Sequence, residues 1–118
     1  TGVLQFKFDA LYPVNSSPLV KDGRVYLANN SGEVYAIDAV SGEIYWTNYA
    51  EDEVWSSPVI AGERVYLGSF DNKVYGFDIE DGEITFEYST GDYIWSNIAF
   101  YEKTIIFSGY DGTLYAVE

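Results

Sequence analysis

An all-β fold built from β-propeller blades is predicted by three observations. First, the stretch Val34–Trp46, Val-Tyr-Ala-Ile-Asp-Ala-Val-Ser-Gly-Glu-Ile-Tyr-Trp, returns as Val74–Phe86 and begins again at Leu114-Tyr115-Ala116-Val117-Glu118, in register at a 40-residue interval. Second, each copy reads as four short strands joined by tight turns, with no helical period anywhere, and a four-stranded repeat of this length is the mark of a propeller blade. Third, the strands are apolar almost without interruption and 19% of the chain is aromatic. That pattern suits sheets buried on both faces, with large rings filling the wedges between twisted neighbours.

The elements follow in order. Residues 3–8 alternate apolar with Gln5 and Lys7, the period of a half-exposed strand. They align with Ile44–Asn48 and Ile84–Tyr88, the fourth strand (D) of the copies. The segment from Ser16 to Val20 is expected to be strand A, with copies at Ser56–Ile60 and Ser96–Phe100; Pro18 and Pro58 restrict it to a sheet edge. After Lys21-Asp22-Gly23, strand B runs Arg24–Ala28, matched by 64–68 and 104–108. Asn30-Ser31-Gly32, Asp71-Asn72 and Asp111-Gly112 are hairpin turns, since these residues tolerate positive φ. Strand C follows at Val34–Ile37, with Tyr35, Tyr75 and Tyr115 in one position.

The blades are therefore expected at 16–48, 56–88 and, incomplete, 96–118, with a strand D at 3–8 that has no blade of its own. Three blades are too few for a ring, because propellers use four to eight. Two outcomes are expected: closure of six blades by a head-to-tail dimer, in which each chain's first strand completes the other's last blade, or completion by the remainder of a larger propeller. The absence of Met suggests a processed product or a segment of a longer chain.

Nineteen acidic residues against six basic ones give a net charge of −13. Attraction to nucleic acid or to anionic lipid is disfavoured, and a basic partner suits the chain better. No apolar run is long enough for a membrane helix. Without Cys or His, thiolate chemistry and the commonest general base are excluded.

Loops joining D to A and B to C emerge on one face. They hold Tyr49, Asp52, Trp55 and Phe70 in one copy and Asp92, Tyr93, Trp95 and Tyr110 in the next. Aromatic rings beside carboxylates suit a sugar, a quaternary amine or a basic peptide. The other reading makes Trp55 and Trp95 wedges between blades, as Trp46 is. The acidic run 51–53 lacks the alternating ligand spacing of a calcium loop, and no metal site is expected.

Ala36, Asp38, Gly42 and Trp46 fit the pattern A-x-D-x-x-x-G-x-x-x-W, which resembles the docking motif of the pyrroloquinoline-quinone-like, BamB-like propeller repeat family. Gly76, Asp78, Gly82 and Phe86 form a degenerate second copy, and Glu118, Gly2 and Phe6 a split third. The Ser-Ser-Pro segments at 16–18 and 56–58 are similar to the same family. The resemblance implies structural docking by Trp46, Phe86 and Phe6, and an extracytoplasmic location. Some members are dehydrogenases that use the quinone with calcium, a catalytic Asp and often paired Cys; others are cofactor-free scaffolds. With no Cys, and with carboxylates mostly at turn positions, the expectation is a non-catalytic binding or scaffold module without cofactor, working through a protein or peptide partner. A fragment of a quinone-dependent dehydrogenase and a carbohydrate-binding propeller are the alternatives.

Overall fold

The computed structural model describes residues 2–118; Thr1, aligned above with Ser41, lies outside them. Three antiparallel sheets are present. The first is β1 (Leu19–Lys21), β2 (Arg24–Ala28), β3 (Glu33–Asp38) and β4 (Ile44–Tyr49), in that spatial order. The second repeats it with β5 (Val59–Ala61), β6 (Arg64–Gly68), β7 (Lys73–Asp78) and β8 (Ile84–Ser89). The third has three strands, β9 (Ala99–Tyr101), β10 (Thr104–Ser108) and β11 (Leu114–Val117).

The innermost strand starts later than its sequence suggests. Ser16, Ser17 and Pro18 precede the ladder of β1, which pairs Leu19 with Tyr26. Two causes are visible: Pro has no N–H to donate, and the Ser16 hydroxyl instead donates to the carbonyl of Ala28 at 3.2 Å. The strand is an edge all the same, bonded to β2 alone.

Residues 3–8 differ more. They make no ladder among the described residues, yet they pack: Phe6 and Phe8 lie against a cluster of Ala10, Leu27, Tyr35 and Ile37. Phe8 meets Tyr35 edge-on, with ring centroids 5.0 Å apart. A strand needs a neighbour for its amides, and among the described residues nothing pairs with that edge. The segment is thus the outermost layer on the first sheet, in the place a preceding blade's strand D would take.

Between these layers the side chains of each strand alternate. In β2 and β3, Leu27, Tyr35 and Ile37 face the opening segment. Tyr26, Ala28, Val34 and Ala36 face the second sheet, where Val65, Leu67, Tyr75 and Phe77 meet them. The second sheet turns Tyr66 and Val74 to Ile105 and Phe107 of the third and to Ile98 just before it. Period two with both faces apolar is what a two-sided packing requires, and it explains the unbroken hydrophobic runs.

Candidate functional site

Backbone bonds tie the D-to-A loops to the B-to-C turns, so both sets share one face. Phe70 N–H donates to the carbonyl of Glu53 (2.9 Å), Tyr110 N–H to that of Tyr93 (2.8 Å), and Asn30 N–H to that of Pro13 (2.8 Å). Buried side chains add further ties in the first two sheets. Ser69 Oγ donates to the carbonyls of Asp52 and Glu53, both at 3.1 Å, and Asn29 Nδ2 donates to that of Ala10 at 2.7 Å. Nearer the axis, Ser17 N–H donates to Ser57 Oγ, and Ser57 N–H to Asn97 Oδ1, each 2.8 Å, linking one sheet to the next. Sequence reading missed these residues. The Ser57–Asn97 series carries a repeat signal; Asn29 and Ser69 do not, because the side chain changes between copies.

On this framework five rings form one surface. Trp55 stacks on Phe70 with centroids 6.0 Å apart and planes 9° from parallel. Phe70 stacks on Tyr93 at 4.8 Å. Trp95 lies 5.8 Å from Trp55 and 5.7 Å from Tyr110. Trp55 and Phe70 are half-buried, whereas Tyr93, Trp95 and Tyr110 remain 44%, 50% and 64% exposed. Beside them opens a cavity of about 330 Å³ lined by Trp95, Ser96, Ser108, Gly109 and Tyr110. Trp55 is wedged among its neighbouring rings, and Trp95 leaves half its surface to solvent. Tyr49 is 66% exposed and stands outside this cluster.

The carboxylates on the same face are committed to the turns. Asp52 Oδ1 accepts from Glu53 N–H and Asp92 Oδ1 from Tyr93 N–H, both at 2.8 Å. Asp71 accepts from the Tyr75 hydroxyl and from the amides of Glu51 (3.1 Å) and Lys73 (3.0 Å). Burial, then the bond to Asp71, raises the Tyr75 phenol well above its ordinary range. In the third sheet the Thr113 amide, then the Tyr115 hydroxyl, lowers the Asp111 carboxyl. Glu53 Oε2 accepts from Trp55 Nε1 at 2.7 Å and fixes that ring's orientation, a contact the sequence did not signal. Among the described residues no three Asp or Glu side chains converge to hold a cation.

The docking residues lie on the opposite rim and along the flank. Trp46 is buried between Tyr26 and Phe77, each 6.2 Å away, and its Nε1 donates to the carbonyl of Ile79 at 3.0 Å. Arg24 Nη1 donates to the same carbonyl at 2.8 Å, and Asn48 Nδ2 to that of Gly82 at 2.8 Å. Gly82 lies flat beneath the indole: a Cβ there would fall 2.5 Å from Trp46 Cδ2. Ala36 is the cross-strand partner of Trp46, and Gly76 that of Phe86; a small side chain leaves the ring room to lie over its own sheet. Asp38 and Asp78 each accept two amides of the turn that follows them. Phe6 repeats the seating, 2.6 Å from a Cβ built on Gly42. Phe86 has no such seat among the described residues. It packs edge-on to Tyr66 at 5.6 Å, with Arg64 6.0 Å above its ring. A Cβ at Gly2 would meet nothing within 4 Å.

Known proteins agree with this architecture. The chain superposes on BamB from Moraxella catarrhalis with a TM-score of 0.83 and 20% identity, over 94% of this chain and 36% of that one. The computationally designed Ika4 protein gives 0.75 and 16%, over 84% and 62%. Quinohemoprotein alcohol dehydrogenase from Comamonas testosteroni gives 0.73 and 21%, over 81% and 17%. The chain therefore spans well under two thirds of the BamB and dehydrogenase structures, and at these identities the likeness concerns the fold. No curated protein sequence matches it. The family described as outer membrane protein assembly factor BamB matches residues 2–118, and the chain belongs to that family of pyrroloquinoline-quinone-like β-propeller repeats.

Proposed function

We propose that this chain is a non-catalytic binding module that holds a cationic segment of a protein partner on its aromatic face. The observation that carries the reading is the continuous surface of Trp55, Phe70, Tyr93, Trp95 and Tyr110 set among acids. That face bears Glu51, Asp52, Glu53, Asp71, Asp92 and Asp111 against Lys73, whereas the A-to-B turns on the opposite rim mix Lys21, Arg24, Arg64 and Lys103 with Asp22, Glu63 and Glu102. A guanidinium or ammonium over an indole gains about 0.5–2 kcal/mol from the ring's quadrupole, and the surrounding charge raises the encounter rate. An extracytoplasmic location belongs to the same reading, supported by the family's description as an outer membrane assembly factor.

The test is a titration of an Arg-rich peptide followed by tryptophan fluorescence, against a neutral peptide and an oligosaccharide of similar size. Selective binding to the Arg-rich peptide, weakened by salt and reduced about tenfold in Trp95→Ala, is expected; a tenfold loss corresponds to about 1.4 kcal/mol. Equal binding of the neutral peptide would refute the cationic partner, and binding of the oligosaccharide alone would establish the carbohydrate reading in its place.

In this reading the two open flanks of the described residues are covered by like sheets, supplied by a second copy or by the remainder of a larger propeller. The edge of β11 is unpaired, residues 3–8 make no ladder, and Val3, Leu4 and Leu114 are 68%, 70% and 71% exposed.

A further inference from the structure

We propose that Asp22-Gly23, in the turn between β1 and β2, is the site at which this chain isomerises its own backbone, the Asp22 carboxyl passing through a cyclic imide to an isoaspartyl linkage. The turn lies on the rim opposite the aromatic face and shares no residue with it. Gly23 N bonds to Asp22 Cγ, and one oxygen of the protonated carboxyl leaves as water with the amide proton, closing a five-membered ring. Water then reopens it. Cleavage of the new N–Cγ bond restores aspartate. Cleavage of the original peptide bond leaves the chain running through Cγ, with the former α-carbonyl carbon as the free carboxylate. Glycine leaves the attacking nitrogen unhindered, and water is the sole co-reactant.

The chain carries Asp-Gly at 22–23, 81–82 and 111–112, and the fold restrains two of the three. At the second, Gly82 N–H donates to the carbonyl of Asp78 (2.9 Å) and Asp81 Oδ1 accepts from Glu83 N–H (2.9 Å). The Gly82 carbonyl also accepts from Asn48 Nδ2 (2.8 Å), beneath the Trp46 ring. At the third, Gly112 N–H donates to the carbonyl of Gly109 (3.1 Å), while the two oxygens of Asp111 accept from Thr113 N–H and the Tyr115 hydroxyl, both at 2.9 Å. Breaking such bonds before attack slows the step about tenfold or more.

Asp22-Gly23 has no such restraint. Both residues are exposed, in a two-residue hairpin turn with φ of 50° and 76° closed by the Lys21–Arg24 pair. Among the described residues neither the Gly23 N–H nor the Asp22 carboxyl has a hydrogen-bond or ion-pair partner, and a Cβ on Gly23 would meet nothing within 4 Å. The nitrogen and the carboxyl carbon are therefore free to meet, with water at hand. The corresponding turns hold Gly62-Glu63 and Glu102-Lys103, which have no Asp to close a five-membered ring. The isoaspartyl form adds one carbon to the backbone of a turn that ends at Arg24, whose Nη1 reaches the Ile79 carbonyl of the second sheet (2.8 Å). Gly23 itself accepts from Ala39 N–H (2.8 Å). The lengthened turn displaces both contacts and loosens the joint between the first two sheets.

The chain is incubated at neutral pH in heavy-oxygen water, folded or in guanidinium chloride, then digested and fragmented by electron transfer, which separates isoaspartate from aspartate. The oxygen label records every ring opening, including those that restore aspartate. In the folded chain, label and isoaspartate at Asp22 are expected to exceed those at Asp81 and Asp111 about tenfold or more, and Asp22→Glu should abolish both at that turn. In denaturant the three pairs should become comparable. Equal labelling of the three in the folded chain, or none at Asp22, overturns the assignment. A preference for Asp22 that persists in denaturant overturns the role of the fold. The isoaspartyl form, separated by chromatography, is expected to unfold at lower urea than the unmodified chain; an unchanged midpoint overturns the loosened joint and leaves the site standing.

Discussion

Replacing Gly82 by Ala isolates the docking joint, because Gly23 offers a control with the same backbone. Both take φ of 76°, but a Cβ on Gly23 meets nothing within 4 Å, whereas one on Gly82 falls 2.5 Å from Trp46 Cδ2 and 2.9 Å from Cγ. An L-residue held in the left-handed region costs about 1–2 kcal/mol, which is all that Gly23→Ala should lose. Gly82→Ala carries that cost and also forces the indole off its seat. Trp46 is 7% exposed and wedged between Tyr26 and Phe77, so it has little room to yield. Overpacking of this kind adds about 1–3 kcal/mol. In urea titrations followed by far-ultraviolet circular dichroism and tryptophan fluorescence, with slopes of about 1–3 kcal/mol per molar, the Gly82→Ala midpoint should fall below that of Gly23→Ala by roughly 1 M. Coincident midpoints would show that the glycine is there for the turn alone and that the ring above it is incidental.

Three further outcomes follow from the same geometry. Trp46→Phe keeps most of the apolar contact but leaves the Ile79 carbonyl with Arg24 as its remaining side-chain donor; a loss of about 0.5–1.5 kcal/mol is expected from chemical denaturation. The Tyr45 hydroxyl, with the amides of Ser41 and Val40, lowers the Asp38 carboxyl to about 2. Since the unfolded chain binds that proton first, the contribution of Asp38 is present above pH ~4 and disappears as pH falls through ~2; Asp38→Asn should flatten the acid limb of a melting-temperature profile. Tyr35, pushed up to about 12 by burial and then by its bond to Glu33, keeps its proton in the fold where the unfolded chain has lost it. Stability should therefore decline from pH ~10 to ~12, and Tyr35→Phe should remove part of that decline.

The repeat interval, the strands and the turns were legible in the sequence because each is a local pattern. Period two, Asp-Gly or Asn-Ser-Gly at hairpins, and small residues opposite Trp46 and Phe86 need no knowledge of distant chain. Residues 3–8, read as a strand from their alternation, form no ladder because no neighbour pairs with them among the described residues. The aromatic cluster was legible in part: Trp55, Phe70, Tyr93, Trp95 and Tyr110 were marked by their loops, and Tyr49, marked with them, is exposed and makes no ring contact with the others.

What the amino-acid order determined by itself was the blade, since antiparallel pairing through short turns is settled within 40 residues. Only the tertiary structure decided how blades meet. Trp46 over Gly82, Glu53 holding Trp55, Asn29 and Ser69 tying loop to turn, and the late start of β1 all depend on groups brought together from separate segments by twist and packing. Burial of one sheet against the next, which no single segment encodes, selects which ring is a wedge and which is left facing solvent.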